Sequence, residues 1–160
     1  MDDVREARPD ELGLLPALEE AADAMFLPWG IGPLPPPGTV EELAAALAIL
    51  VSGEPPGGFC RIDLLAGGVH IEQLSVPPEH GRQGRGRALV RAACGWATTH
   101  GYREITLATY RDVPWNAPFY ASEGFADVGP VDAWYAARGL PPEDPVMGRG
   151  GARVLMRRPL

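Results

Sequence analysis

The chain has 160 residues, 46% hydrophobic and 22% charged, which fits one domain spanning 1–160 with a sizeable core. No apolar run nears the roughly 20 residues needed to cross a bilayer, and Met1-Asp2-Asp3 lacks the basic-then-apolar order of a signal peptide, so a cytoplasmic protein off the membrane is expected. A net charge of -7 argues against binding nucleic acid, and because all 14 basic residues are arginine, Schiff-base and P-loop lysines are excluded.

Val4 to Ala7 reads as a short opening strand. Pro9 and Asp10 start an amphipathic helix with Leu14, Leu18 and Ala21/Ala22 at helical spacing. Residues 27–38, LPWGIGPLPPPG, hold five prolines and three glycines and cannot form a regular element. Thr39 with Glu42 three residues on is a capping box, opening a second helix that carries Leu43 and Leu47. Three strands follow, Ala48 to Ser52, Gly58 to Leu65 and Val69 to Val76. The turns Pro55-Pro56-Gly57 and Ala66-Gly67-Gly68 between them suggest an antiparallel meander, and Pro77-Pro78 ends it.

A long helix begins near Arg85, with Leu89, Val90, Ala93, Trp96 and Ala97 on one face and Gly101 at its C-terminal stop. Arg103 to Thr109 reads as a strand with Ile105 and Leu107 on one side. Asn116 can cap a short helix running to about Glu123, stopped by Gly124 and Phe125. Asp132 to Arg138 is a short helix inside a Pro/Gly-rich segment, and Ala152 to Arg157 is the last strand. Cys60 and Cys94 read as buried thiols, and His70, His80 and His100 are too scattered to form a structural zinc site.

The most informative stretch lies between the third strand of the meander and the long helix: His80-Gly81-Arg82-Gln83-Gly84-Arg85-Gly86-Arg87. A helix N-terminus offers unpaired N–H groups and a positive dipole end to anions. Gly84 and Gly86 let the backbone approach an oxygen closely, and Arg82, Arg85, Arg87 and Arg91 concentrate positive charge in an acidic chain. A dinucleotide loop is a competitor, but position 89 is leucine, and hairpins rather than a βαβ unit precede the turn. About thirty residues on stands Asn116-Ala117-Pro118-Phe119-Tyr120-Ala121-Ser122-Glu123-Gly124-Phe125.

Together these segments resemble the GNAT superfamily of N-acetyltransferases. Val76 to Leu89 is similar to its motif A, Gln/Arg-x-x-Gly-x-Gly/Ala, with Gly84 and Gly86 matching and Gly81 in the place of the usual Gln or Arg. The second segment matches the Asn-…-Tyr-…-Gly-Phe signature after the fifth strand. The resemblance implies an α/β domain with a mixed, twisted sheet of about six to seven strands flanked by helices on both faces. It also implies acetyl-CoA (coenzyme A) as co-substrate, with no metal. Arg82, Gln83, Gly84, Arg85, Gly86 and Arg87 would hold the diphosphate, and Asn116 and Phe119 would border the pantetheine. A bulge just before Val76 would free amides of Leu74, Ser75 and Val76 for the same arm.

By the same resemblance Tyr120 is the general acid that protonates the departing CoA thiolate. His70, Glu72 and Leu74 alternate onto one strand face, opposite Ile71 and Gln73. Glu72 is the first candidate for general base, through water, and His70 the second. The implied function is transfer of acetyl from acetyl-CoA to a primary amine by direct attack in a ternary complex. A non-catalytic acyl-CoA sensor, or an O- or longer-acyl transferase on the same fold, are the alternatives. The acceptor, a small-molecule or peptide amine, would meet Phe26, Trp29 and the Pro-rich stretch on one side and Trp134 and Tyr135 on the other. Glu19, Glu20 and Asp23 could attract a cation, although a solvated helix face is the plainer reading. A homodimer stays open.

Overall fold

The computed structural model describes residues 3–160, so Met1 and Asp2, which bear on the reading of the N-terminus, lie outside the described residues. Seven strands form one sheet in the order β1-β2-β3-β4-β5-β7-β6. They are β1 (Val4–Glu6), β2 (Ala48–Ser52), β3 (Gly58–Leu65), β4 (Gly68–Ser75), β5 (Glu104–Tyr110), β6 (Ala126–Pro130) and β7 (Arg153–Pro159). Neighbours are antiparallel except β4 and β5, whose parallel ladder is only three residues long, Val69↔Ile105 to Ile71↔Leu107. A parallel pair needs a crossover, and α3 (Arg85–Thr99) supplies it.

Helices cover both faces, as expected. On one face α3 buries Leu89, Val90, Ala93, Cys94 and Ala97 against Cys60, Ile62, Val69 and Ile71. Tyr120 of α4 (Ala117–Ser122) joins this cluster. On the other face α1 (Leu15–Asp23) and α2 (Val40–Ala44) pack Leu15 and Leu43 onto Ile49, Val51 and Phe59. Leu50 points to the first cluster and its neighbours Ile49 and Val51 to the second, so β2 is apolar on both sides. Trp96 packs at the rim of the α3 cluster, where its indole N–H donates to Glu6 at 3.2 Å. Cys60 and Cys94 are free and buried, and burial pushes the Cys60 thiol well above its ordinary range.

Local chemistry set most of these boundaries. Thr39 and Glu42 form the capping box of α2, and the Phe125 and Gly124 amides close on Tyr120 and Ala121 at the end of α4, with Gly124 at φ 93°. Several details differ from expectation. The first helix opens as a 3-10 turn, Pro9–Leu14, because Pro16 follows one residue into α1. A second 3-10 turn, Ala24–Trp29, runs into the segment expected to be irregular. The helix expected over 132–138 is α5, Val131–Ala136. β6 was not anticipated: ADVGP shows no alternation, and its glycine and proline are tolerated because it is an edge strand.

The consequential correction lies in β4. Its register against β3 jumps from Ile62↔Ile71 to Arg61↔Gln73, leaving Glu72 without a partner. The bulge therefore falls at Glu72 rather than just before Val76. One extra residue inverts the alternation beyond it. Leu74 thus joins Ile71 on the α3 side, and Gln73 shares the opposite face with His70, the reverse of strict alternation.

Candidate active site

Past Ile71 and Leu107 the β4–β5 pairing stops while both strands continue, β4 to Ser75 and β5 to Tyr110. A cavity of about 1380 Å³ opens at this split. Leu74, Val76, Ala108 and Thr109 border it, and it runs from the turn before α3 to the Pro-rich loop after α1.

At one end is the arginine- and glycine-bearing turn. Arg82 sits at φ 59° and Gly84, the N-cap of α3, at φ 77°. A left-handed arginine costs about 1–2 kcal/mol, a strain that clusters at functional sites. Left-handed residues in such a turn aim successive amides into one concavity, at the positive end of a 15-residue helix. A Cβ added to Gly86 would meet nothing closer than Phe119 Cζ at 3.9 Å, so the ground in front of the helix is kept clear. Residues and geometry fit a diphosphate.

The arginines divide their work. Arg85 turns inward, its guanidinium donating to Ser52 O at 3.0 Å and Ser52 Oγ at 3.2 Å, and it packs over Gly57, where a Cβ would come within 3.0 Å. Arg91 binds the buried Glu123 at 2.9 Å, and Arg87 lies 3.8 Å from the same carboxylate and above the Phe119 ring. Arg82 and Arg87 are exposed and border the cavity. Gln83 and Ser75 do not border it: Gln83 accepts from Arg85 and Ser75 from Gln73.

In the middle stands Tyr120, only 8% exposed and bordering the cavity, with its ring edge-on to Phe119 and Phe125. Among the described residues its hydroxyl has no hydrogen-bond partner, and burial raises its pKa above the ordinary tyrosine value, so it keeps its proton. Asn116 does not cap α4. Its side-chain oxygen instead accepts from Thr109 Oγ at 2.7 Å and from the Tyr110 amide at 3.3 Å, tying α4 to the free end of β5. That leaves its amide nitrogen for the cavity it borders.

Facing these are His70 and Glu72. His70 is 2% exposed, its Nδ1 2.8 Å from Thr106 Oγ; burial, then Arg153, lowers its pKa to about 4, so it is neutral. Glu72, half exposed, approaches His70 Nε2 at 3.9 Å, and its carboxyl is raised mainly by burial and then by Asp63. The far wall is acidic. Glu19 and Asp23 of α1 line it rather than a solvated face, whereas Glu20 is exposed outside. Burial, then Glu19, lifts Asp23 to about 7. Phe26, residues 35–37 and Tyr135 complete the wall; Trp29 and Trp134, expected there, do not reach it.

A model of the acetyltransferase (GNAT) family matches residues 15–125 of this chain. The chain belongs to that family. It is accordingly an acetyl-CoA-dependent acyltransferase. Its fold is similar to that of the ribosomal-protein-S18-alanine N-acetyltransferase of Escherichia coli, with TM-score 0.70 and 19% identity over 99% of this chain and 94% of that one. It is also similar to the PaiA N-acetyltransferase of Thermoplasma acidophilum in complex with coenzyme A, with TM-score 0.71 and 16% identity over 100% of this chain and 99% of that one.

For a GNAT chain, three residues that shape the cleft escaped sequence reasoning. Thr106 and Thr109 looked like ordinary strand residues, and Glu123 like the end of a short helix. Each earns its place only through partners 36, 7 and 32 positions away in the chain, namely His70, Asn116 and Arg91. Among the described residues no helix is long and apolar enough to cross a membrane, and no cluster of side chains suits a metal ion.

Proposed function

We propose that this GNAT acyltransferase moves acetyl from acetyl-CoA to a primary amine that arrives as a cation, by direct attack with both substrates bound. The observation carrying this reading is one continuous cavity. It joins the cradle before α3, the Tyr120 hydroxyl, which has no partner among the described residues, the His70–Glu72 pair and the carboxylates of Glu19 and Asp23. Acetyl-CoA supplies the acetyl group as a thioester. The amides from Arg82 to Gly86, with Arg82 and Arg87, hold its diphosphate, and the open edges of β4 and β5 receive the pantetheine beside Leu74, Val76, Asn116 and Phe119. Glu19 and Asp23 draw in the ammonium. His70 and Glu72 take one proton from the ammonium, the freed amine attacks the acetyl carbon, Tyr120 protonates the departing sulfur, and the second proton lost from the product nitrogen restores the phenol. Neither cysteine borders the cavity, which favours direct transfer over an acyl-cysteine route.

Thiol release from acetyl-CoA, measured across a panel of mono- and polycationic amines, tests this reading, with calorimetry for coenzyme A alongside. Turnover with amines and not with alcohols is expected. Binding without turnover on any amine would turn the protein into an acyl-CoA sensor, and absence of binding would overturn the cradle itself.

A further inference from the structure

Resting on that reading, we propose that Thr106 is a positioning residue that fixes the tautomer of His70, so that Nε2 presents its lone pair to the acceptor amine and Glu72 passes the proton onward to water. His70 and Thr106 are direct partners in the short parallel ladder between β4 and β5, one residue before the strands part. Both are buried, at 2% and 6% exposure, so neither can trade its hydrogen bond freely for water.

The direction of the chain of hydrogen bonds turns on where the one Thr106 hydroxyl proton goes. Thr106 Oγ lies 3.4 Å from the carbonyl oxygen of Val69 and 2.8 Å from His70 Nδ1. Thr106 has one hydroxyl proton and two acceptors within reach; in the proposed arrangement the proton goes to the Val69 carbonyl, which can only accept, and the Oγ lone pair faces Nδ1. In that arrangement Nδ1 carries the imidazole proton and Nε2 is the unprotonated nitrogen. Glu72 Oε2 lies 3.9 Å from Nε2, beyond hydrogen-bonding distance, on a side chain that is 49% exposed. The other charged groups nearby are already paired: Asp63, opposite His70 on β3, with Arg61 at 2.9 Å, and Arg153 of β7 with Glu143 at 2.7 Å.

The step balances without a further reactant. An N–H bond of the attacking nitrogen breaks as an Nε2–H bond forms. The imidazolium, held by Thr106, hands that proton to Glu72 and thence to water, and His70 returns to its neutral tautomer. The bulge at Glu72 leaves that residue without a partner in the β3 ladder, while its carboxylate stays beside the imidazole two residues earlier, 3.9 Å from Nε2. In this order His70 is the first acceptor, and Glu72, the first candidate from sequence, becomes the outlet.

The test combines a spectroscopic readout with rescue. Long-range proton–nitrogen NMR of the imidazole in wild-type protein should show Nδ1 protonated and Nε2 bare at neutral pH. Thr106→Val should abolish that preference and lower kcat by about tenfold or more, with KM for acetyl-CoA unchanged, and Thr106→Ser should restore both. An Nε2-protonated ring in the wild type, or Thr106→Val with wild-type tautomer and kcat, would overturn the proposal. The NMR result needs no turnover, so it decides the tautomer even if coenzyme A fails to bind and the functional reading itself falls.

Discussion

Tyr120→Phe separates chemistry from architecture more cleanly than any other substitution in this cleft. The ring makes its edge-on contacts to Phe119 and Phe125 at 5.2 and 6.0 Å, and phenylalanine keeps both. The hydroxyl has no partner among the described residues, so removing it strands no donor or acceptor. Folding stability should shift by less than about 1 kcal/mol, a change in Tm of no more than about 4 °C for a chain of this size. General acid catalysis contributes about 10²–10⁴ in rate, which at about 1.36 kcal/mol per tenfold is roughly 2.7–5.4 kcal/mol of barrier. The barrier effect should thus exceed the stability effect several-fold. Stopped thiol release gives kcat, calorimetry gives coenzyme A affinity, and a thermal melt gives stability. A fall in affinity matching the fall in kcat would show that the phenol builds the site rather than acting in it.

Three further substitutions probe other parts of the cleft. Gly84→Arg places a side chain at φ 77° in front of α3 and should abolish coenzyme A binding while a thermal melt still reports a folded protein; retained binding would put the cofactor elsewhere. Asn116→Ala leaves the buried Thr109 hydroxyl and Tyr110 amide without their acceptor, so stability should fall by about 2 kcal/mol and Tm by about 4–8 °C. An unchanged melt would mean that α4 is not anchored to β5 through this side chain. Asp23 has its pKa raised from 3.8 to about 7, so the folded chain holds this proton more tightly than the unfolded one. Stability from this group is full below about pH 4 and declines as pH rises towards 7. Asp23→Asn should therefore raise Tm relative to wild type increasingly across that window, while raising KM for a cationic amine; a Tm difference constant with pH would contradict the burial of a charged carboxylate.

Local signals sufficed for most of the fold and for the outline of the site. The Thr39–Glu42 box and the Gly124–Phe125 stop follow from residues a few positions apart and formed as those residues dictate, and the meander strands fall within one residue of their expected bounds. The turn proposed as the cradle was legible for the same reason: Gly84, Gly86 and the surrounding arginines act on their own backbone. The acidic chain with its concentrated arginines, and the spacing from that turn to Asn116 and Tyr120, needed no third dimension to point to a coenzyme A enzyme.

What tertiary structure alone decided is which side chains meet. A one-residue bulge at Glu72 leaves no mark in a strand of plausible alternation, yet it exchanged the faces of Gln73 and Leu74 and freed Glu72 from the β3 ladder. Asn116 has the residue type and position of a helix cap, and only the approach of β5 diverted its oxygen to Thr109 and Tyr110. Glu19 and Asp23 have the helical spacing of a solvated face, and became a cavity wall because the Pro-rich loop folds back over them. Hydrogen bonds between neighbours in sequence are set by backbone geometry that the residues themselves impose, whereas pairings such as His70 with Thr106 depend on how the whole sheet closes, which no local pattern encodes.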